Sequence, residues 1–129
     1  MQGHRDLVVW QKSMALVTDV YQATPGFPQD EVYGLRSQIR RAAESVPSNL
    51  AEGHGRNSRK EFHQFIGQAR GSLLELETQL EVARNPGFLS PGVASDLLSK
   101  AGEIARVLNG LRLQSKSGKG ARWLLTTNY

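Results

Sequence analysis

A chain of 129 residues, 39% hydrophobic and 22% charged, has the length and balance of one globular domain and is too apolar for a disordered one. No apolar run approaches the roughly 20 residues that cross a bilayer, no signal-peptide core opens the chain, and the lack of cysteine excludes disulfides, thiol catalysis and Cys-based zinc sites. A cytoplasmic protein with no membrane contact is expected, and its formal charge of +4 leaves phosphate-bearing partners open.

The elements follow in chain order. Asp6 is the expected N-cap of a first helix, along which Leu7, Trp10, Met14, Val17 and Tyr21 recur at steps of three and four and draw one apolar stripe. Thr24-Pro25-Gly26-Phe27-Pro28 stops it, because two prolines and a glycine do not continue a helix. A second helix is expected to begin near Asp30 or Glu31, with Leu35, Ile39, Ala42, Val46 and Leu50 as its stripe. Pro47 falls inside that stripe; it removes a backbone donor and crowds the carbonyl four residues back, which predicts a kink or a local break. Gly53-His54-Gly55 ends the run.

Ser58 with Glu61 makes a capping box for a third helix, whose apolar phase runs through Phe62, Phe65, Ile66, Ala69, Leu73, Leu76, Leu80 and Ala83. Gly67 and Gly71 stand four apart on it, which either allows a close helix approach or is simply tolerated. Asn85-Pro86-Gly87-Phe88 is a turn, and Ser90-Pro91 supplies an N-cap and a first-turn proline for a fourth helix carrying Val93, Leu97, Leu98, Ala101, Ile104, Ala105, Leu108 and Leu111. From Ser115 the chain turns basic and Gly/Ser-containing, then apolar through Trp123, Leu124, Leu125 and Tyr129; it either docks on the bundle or a neighbouring subunit, or stays disordered. Four amphipathic helices with short connections predict an all-α, antiparallel up-down-up-down four-helix bundle over residues 1–114, with a C-terminal tail at 115–129.

Charge is segregated along the chain. Residues 1–32 carry two basic and four acidic groups, residues 33–60 six and two, residues 61–89 two and four, and residues 90–129 six and two. Positive charge therefore gathers on the second helix with the turn after it, and on the last helix with its tail. Arg36, Arg40, Arg41, Arg56, Arg59 and Lys60, with Lys116, Lys119 and Arg122 in the tail, are the candidate nucleic-acid contacts, since guanidinium forks and ammonium groups suit backbone phosphates. The competing reading is ion pairing inside the bundle, with Glu44, Glu52 or Glu75 as partners and Arg41, beside Ala42, as the first choice for such a pair. Asn49, Glu52 and Gly53 have the look of a catalytic trio but no nucleophile–base pair accompanies them, and they read as groups satisfying backbone and arginine donors around Pro47. His54 and His63 lie nine apart, which is not a compact helical metal spacing, and His4 reads as part of a loose terminus. Trp10, Tyr21, Tyr33, Phe62 and Phe65 are expected in core or subunit packing; Trp123 and Tyr129, among cations, are the better base-stacking candidates. Gly118-Lys119-Gly120 lacks the strand and the remainder of a P-loop, and no cofactor motif is present.

Several segments carry a resemblance to a known family. They are Asp6-Leu7-Val8-Val9-Trp10-Gln11-Lys12, Phe27-Pro28 with Glu31-Val32-Tyr33-Gly34-Leu35, Gln38-Ile39-Arg40-Arg41-Ala42-Ala43, and Asn49-Leu50-Ala51-Glu52-Gly53. Arg56, Phe62, Phe65, Ala69, Gly71-Ser72 and Glu75-Leu76 continue it. In this order they resemble the 23S rRNA intervening-sequence proteins, across about two thirds of the chain, from Asp6 to Leu89; the fourth helix matches in kind only, and the tail beyond Gln114 is outside the pattern. The resemblance implies antiparallel four-helix bundles that assemble as closed homopentamers. Some members are encoded inside intervening sequences of bacterial 23S rRNA genes. It also implies a likeness to the accessory variability protein of diversity-generating retroelements, a basic pentamer that associates with a reverse transcriptase and nucleic acid. No enzymatic activity is attached to the family. Two functions remain in view: a non-enzymatic oligomer holding RNA or an RNA–protein complex on basic surfaces, and a protein-recruiting scaffold whose positive charge serves solubility.

Overall fold

The computed structural model describes residues 3–116. Four helices, α1 (Val8–Ala23), α2 (Leu35–His54), α3 (Arg59–Arg84) and α4 (Pro91–Lys116), follow one another through short connections, and no strand occurs among the described residues. Short connections force antiparallel neighbours, and the helices pack in the ring order α1–α2–α3–α4, with α2–α3 the most extensive seam and α1–α4 the least. The α2 stripe predicted above lines the core: Ile39, Ala42, Val46 and Leu50 are buried, as are Phe62, Ile66, Ala69, Leu73, Leu76, Leu80 and Ala83 of α3. Leu97, Ala101, Ile104, Leu108 and Leu111 of α4 join them, with Ala94 and Val107 added, whereas Val93 is exposed.

The first helix differs from its sequence reading. Asp6 does not cap it: a single 3-10 turn, His4–Asp6, precedes the helix, and Leu7 occupies the N-cap position with no side-chain bond. Val9, Ser13, Leu16 and Val20 face the core, while Met14 and Tyr21 are exposed and Trp10 and Val17 half-buried. Leu7 of the predicted stripe is buried, but from Val9 on the buried stripe lies one residue, about 100° of helix rotation, away from the predicted one. Ser13 can turn inward because its hydroxyl donates to the Val9 carbonyl at 2.7 Å, leaving no polar group unsatisfied. His4 is not in a loose terminus either: its ring meets Trp10 edge-on at 5.0 Å.

The second helix begins at Leu35 rather than Asp30, because Gln29–Glu31 forms a separate 3-10 turn. It then runs unbroken through Pro47, which is buried within it. The close helix approach falls at Gly53, not at Gly67 or Gly71. A Cβ at Gly53 would lie 2.6 Å from Phe65 Cβ, whereas one at Gly67 or Gly71 would meet nothing within 4 Å. Further along the same α2–α3 seam the Ser45 and Ser72 hydroxyls bond at 2.8 Å. The predicted capping signals act as expected: the Glu61 N–H donates to Ser58 Oγ at 3.0 Å and the Val93 N–H to Ser90 Oγ at 3.2 Å. Gly87 makes the turn between α3 and α4 at a φ of +89°, a conformation open to glycine at little cost.

Candidate nucleic-acid interface

The cations that lie close in sequence are divided by the length of α2. Twenty residues of helix span about 30 Å, so Arg36, Arg40 and Arg41 stand at one end of the bundle and Arg56, Arg59 and Lys60 at the other.

At the first end, Arg40 is built into the fold. Its Nε–H donates to Thr24 Oγ1 at 2.9 Å, and its guanidinium lies 4.3 Å from the centre of the Tyr21 ring. Thr24 is fully buried and passes its own proton to the Val20 carbonyl at 2.9 Å. The Tyr21 hydroxyl donates to Glu44, a bond that holds the phenol above its ordinary pKa. The structural role expected of Arg41 therefore belongs to Arg40. Arg41 sits one residue further round the helix, is exposed, and reaches only Ser37 Oγ at 3.4 Å. Arg36 is half-buried, and neither it nor Arg41 holds an ion pair among the described residues.

At the other end, Arg56 is partly occupied. It bonds Glu52 at 2.8 Å, lies 3.8 Å from Glu61, and stacks over Phe65 at 5.2 Å. Arg59 and Lys60 are exposed in the first turn of α3, where the free N–H groups and the helix dipole also favour anions. Lys60 holds no ion pair among the described residues. His63 then draws α4 onto this end: as the Nδ1–H tautomer it donates to Ser115 Oγ at 2.9 Å and to the Arg112 carbonyl at 3.1 Å. The helix that begins with Arg59 and Lys60 and the end of α4, far apart in sequence, thus meet at His63. Nothing in the sequence pattern announced this contact, because a histidine bonding a carbonyl leaves no periodic trace. The side chain of Lys116, with Lys119, Arg122, Trp123 and Tyr129, lies outside the described residues.

The trio around Pro47 serves the fold. Asn49 Nδ2 donates to the Ser45 carbonyl at 2.8 Å and to its hydroxyl at 3.0 Å, Glu52 holds Arg56, and Gly53 takes the face of α3. Burial, with some repulsion from His4, pushes His54 below the ordinary histidine pKa, and its ring meets Phe62 edge-on at 6.4 Å. Among the described residues no group of three or more histidines and carboxylates is placed to hold a metal ion. A groove of about 330 Å³ between α1 and α4 is lined by Lys12, Asp19, Lys100 and Glu103, whose charges pair off as Lys12–Glu103 and Lys100–Asp19. The aromatic residues divide: Phe62 is buried, whereas Tyr33 is 94% exposed and lies outside the core.

The family model of the 23S rRNA-intervening sequence protein matches residues 5–110. The chain belongs to that family. A solved structure of this kind, a protein of unknown function from the S23 ribosomal protein family of Bacteroides thetaiotaomicron VPI-5482, superposes with a TM-score of 0.75 at 19% identity. The superposition covers 81% of this chain and 97% of that one. At that identity the likeness concerns the intervening-sequence protein fold alone. No match was found among curated proteins. No described helix is long and apolar enough to cross a membrane.

Proposed function

We propose that this intervening-sequence protein is a non-enzymatic, oligomeric binding protein of the cytoplasm that holds RNA, or an RNA–protein complex, on its basic end. The observation that carries this reading is the contact of His63 with Arg112 and Ser115, which anchors the last turn of α4 to the helix whose first turn carries Arg59 and Lys60. Phosphates reward such clusters through counterion release, so affinity falls steeply with salt. Assembly into the closed pentamer that the family resemblance implies would repeat the basic end around a ring and strengthen its field. The exposed Leu74 and Val82, on the side of α3 away from the core, support contact between copies; static light scattering measures the subunit number.

A salt-titrated gel shift with structured RNA tests the reading. R59Q/K60Q is expected to weaken binding several-fold and to flatten the salt dependence by roughly 0.7–0.9 in log–log slope per lost phosphate contact. R36Q/R41Q, at the far end, is expected to change binding less. Failure of the wild type to bind at about 50 mM salt removes the proposal. A scaffold that recruits protein, such as the reverse-transcriptase type of partner the resemblance implies, is favoured by one feature, the exposed ring of Tyr33; its mark would be a nuclease-insensitive partner in a pulldown that Y33A abolishes.

A further inference from the structure

We infer that the RNA held at the basic end is base-paired, and that its backbone runs along the seam between α3 and α4, over Lys60, Arg112, Arg70 and Arg106. The inference rests on the RNA-binding reading and adds to it a path and a class of RNA. The contact of His63 with Arg112 and Ser115 sets the two helices in register. Arg70 lies seven residues along α3 from His63, about 10 Å, and Arg106 nine residues back along α4 from Ser115, about 13 Å. Antiparallel helices carry both in one direction, so the two arginines stand at similar heights. Arg70 faces α4: it lines a cleft of about 50 Å³ with Leu73, Leu74 and Glu77 of its own helix and Ala105 of α4. Arg106 follows Ala105 and is exposed. Arg112 lies two turns from Ala105 on the same helix face, and Lys60 one turn before His63. The four cations form a strip about 18 Å long by helical rise.

None of these four cations holds an ion pair among the described residues. The side of α4 that faces α1 is the reverse, with Lys100 bridged to Asp19 and Asp96 and Glu103 to Lys12. The carboxylates nearest the strip are engaged or disfavoured as charges. Glu103 is held below the usual carboxylate range first by its bond to Lys12 and last by Arg106. Glu81 bonds Arg84 at 2.8 Å, Glu61 bonds Ser58, and burial pushes Glu77 up. The seam is therefore net positive. About 18 Å of duplex presents on the order of ten phosphate charges, and unpaired guanidinium forks suit backbone oxygens. Single strands are held chiefly by stacking their bases on exposed rings. The exposed aromatic residues among those described, Tyr21 and Tyr33, belong to α1 and to the connection after it, not to this seam. A duplex keeps its bases stacked inside and offers phosphates and ribose hydroxyls instead.

The test titrates an RNA hairpin with the full chain and with R70Q/R106Q/R112Q over a range of salt, read by fluorescence anisotropy. The triple variant is expected to bind several-fold more weakly and to flatten the log–log salt slope by about 2, with helical circular dichroism unchanged. Binding by the wild type that the triple variant leaves unaltered overturns the path while the RNA-binding reading stands. No binding by the wild type removes that reading, and the inference with it. Should the triple variant lose helix, R106Q alone, at an exposed residue outside the cleft, is expected to flatten the slope by just under 1; an unchanged slope there overturns the path. The chain has no cysteine, so an iron chelate tethered at N109C, between Arg106 and Arg112, gives a second readout. It is expected to cleave the bound hairpin, whereas the same chelate at S48C on α2 is not; cleavage from S48C alone overturns the path. An unpaired strand of equal charge that displaces the hairpin at equal or lower concentration overturns the class of RNA.

Discussion

Arg40 shows how one side chain joins two helices that the sequence leaves separate. Its guanidinium satisfies the buried hydroxyl of Thr24 at the C-terminal end of α1, stacks on Tyr21, and reaches the Tyr21 carbonyl at 3.4 Å. Removing it strands a buried oxygen and exposes the ring. R40A is expected to lower stability by about 1.5–3 kcal/mol in urea denaturation. R40K should recover only part of this, because an ammonium cannot reproduce the flat donor at Nε; full recovery by lysine would show that charge alone matters. The sequence pointed instead to Arg41, since adjacency to the apolar stripe is legible while the direction of a particular side chain is not. The same limit explains α1. Its sequence offers two apolar stripes one residue apart, and periodicity cannot rank them. What ranks them is polar satisfaction: Ser13 closes on its own helix, while Tyr21 needs an edge where it can reach both Glu44 and Arg40.

At the scale of the element, the longest and most periodic segments were the most legible. The stripes of α2 and α3, the Ser58 cap and the turn at Gly87 all follow from local rules. The start of α2 was not legible, because Gln29–Glu31 is helical in character but forms its own 3-10 turn, and Gly34, at φ −104° and ψ −109°, stands outside helical geometry before Leu35. Nor was the passage of α2 through Pro47: burial against neighbouring helices outweighs a lost backbone bond. Two predictions belong here. S58A is expected to cost about 1 kcal/mol, measured as a lower denaturation midpoint, since it frees the Glu61 N–H. Glycine replacement should change sign with position. G53A gains about 1 kcal/mol of helix propensity but drives a methyl to 2.6 Å from Phe65 Cβ, an atom fixed to its backbone, and is expected to destabilise by about 1–3 kcal/mol. G102A meets only the Arg106 guanidinium at 3.8 Å and is expected to stabilise by about 0.5–1 kcal/mol.

For the whole molecule, stability should depend on pH through His54. Burial lowers its pKa in the folded state below the ordinary 6.5, so the unfolded chain takes up a proton first. The contribution of the neutral ring is complete above pH 6.5, is lost as pH falls from there towards the folded pKa, and stays lost below it. Melting temperatures taken through this window should fall with acid in the wild type and fall less in H54Q; equal slopes in the two would mean that another group titrates. The division of the basic residues between the two ends also belongs to this scale, because only the antiparallel course of the helices decides which cations meet.

The unequal seams give the bundle a spine and a fore-edge. Along α2–α3, the most extensive seam, the Gly53 backbone lies so close to Phe65 that there is no room even for a methyl group. Along α1–α4, the smallest seam, the polar bridges are surface ion pairs, which are individually weak and screened by salt. Thermal opening should therefore part the fore-edge, lifting α1 away like a cover while the spine holds, and rising ionic strength should ease that motion.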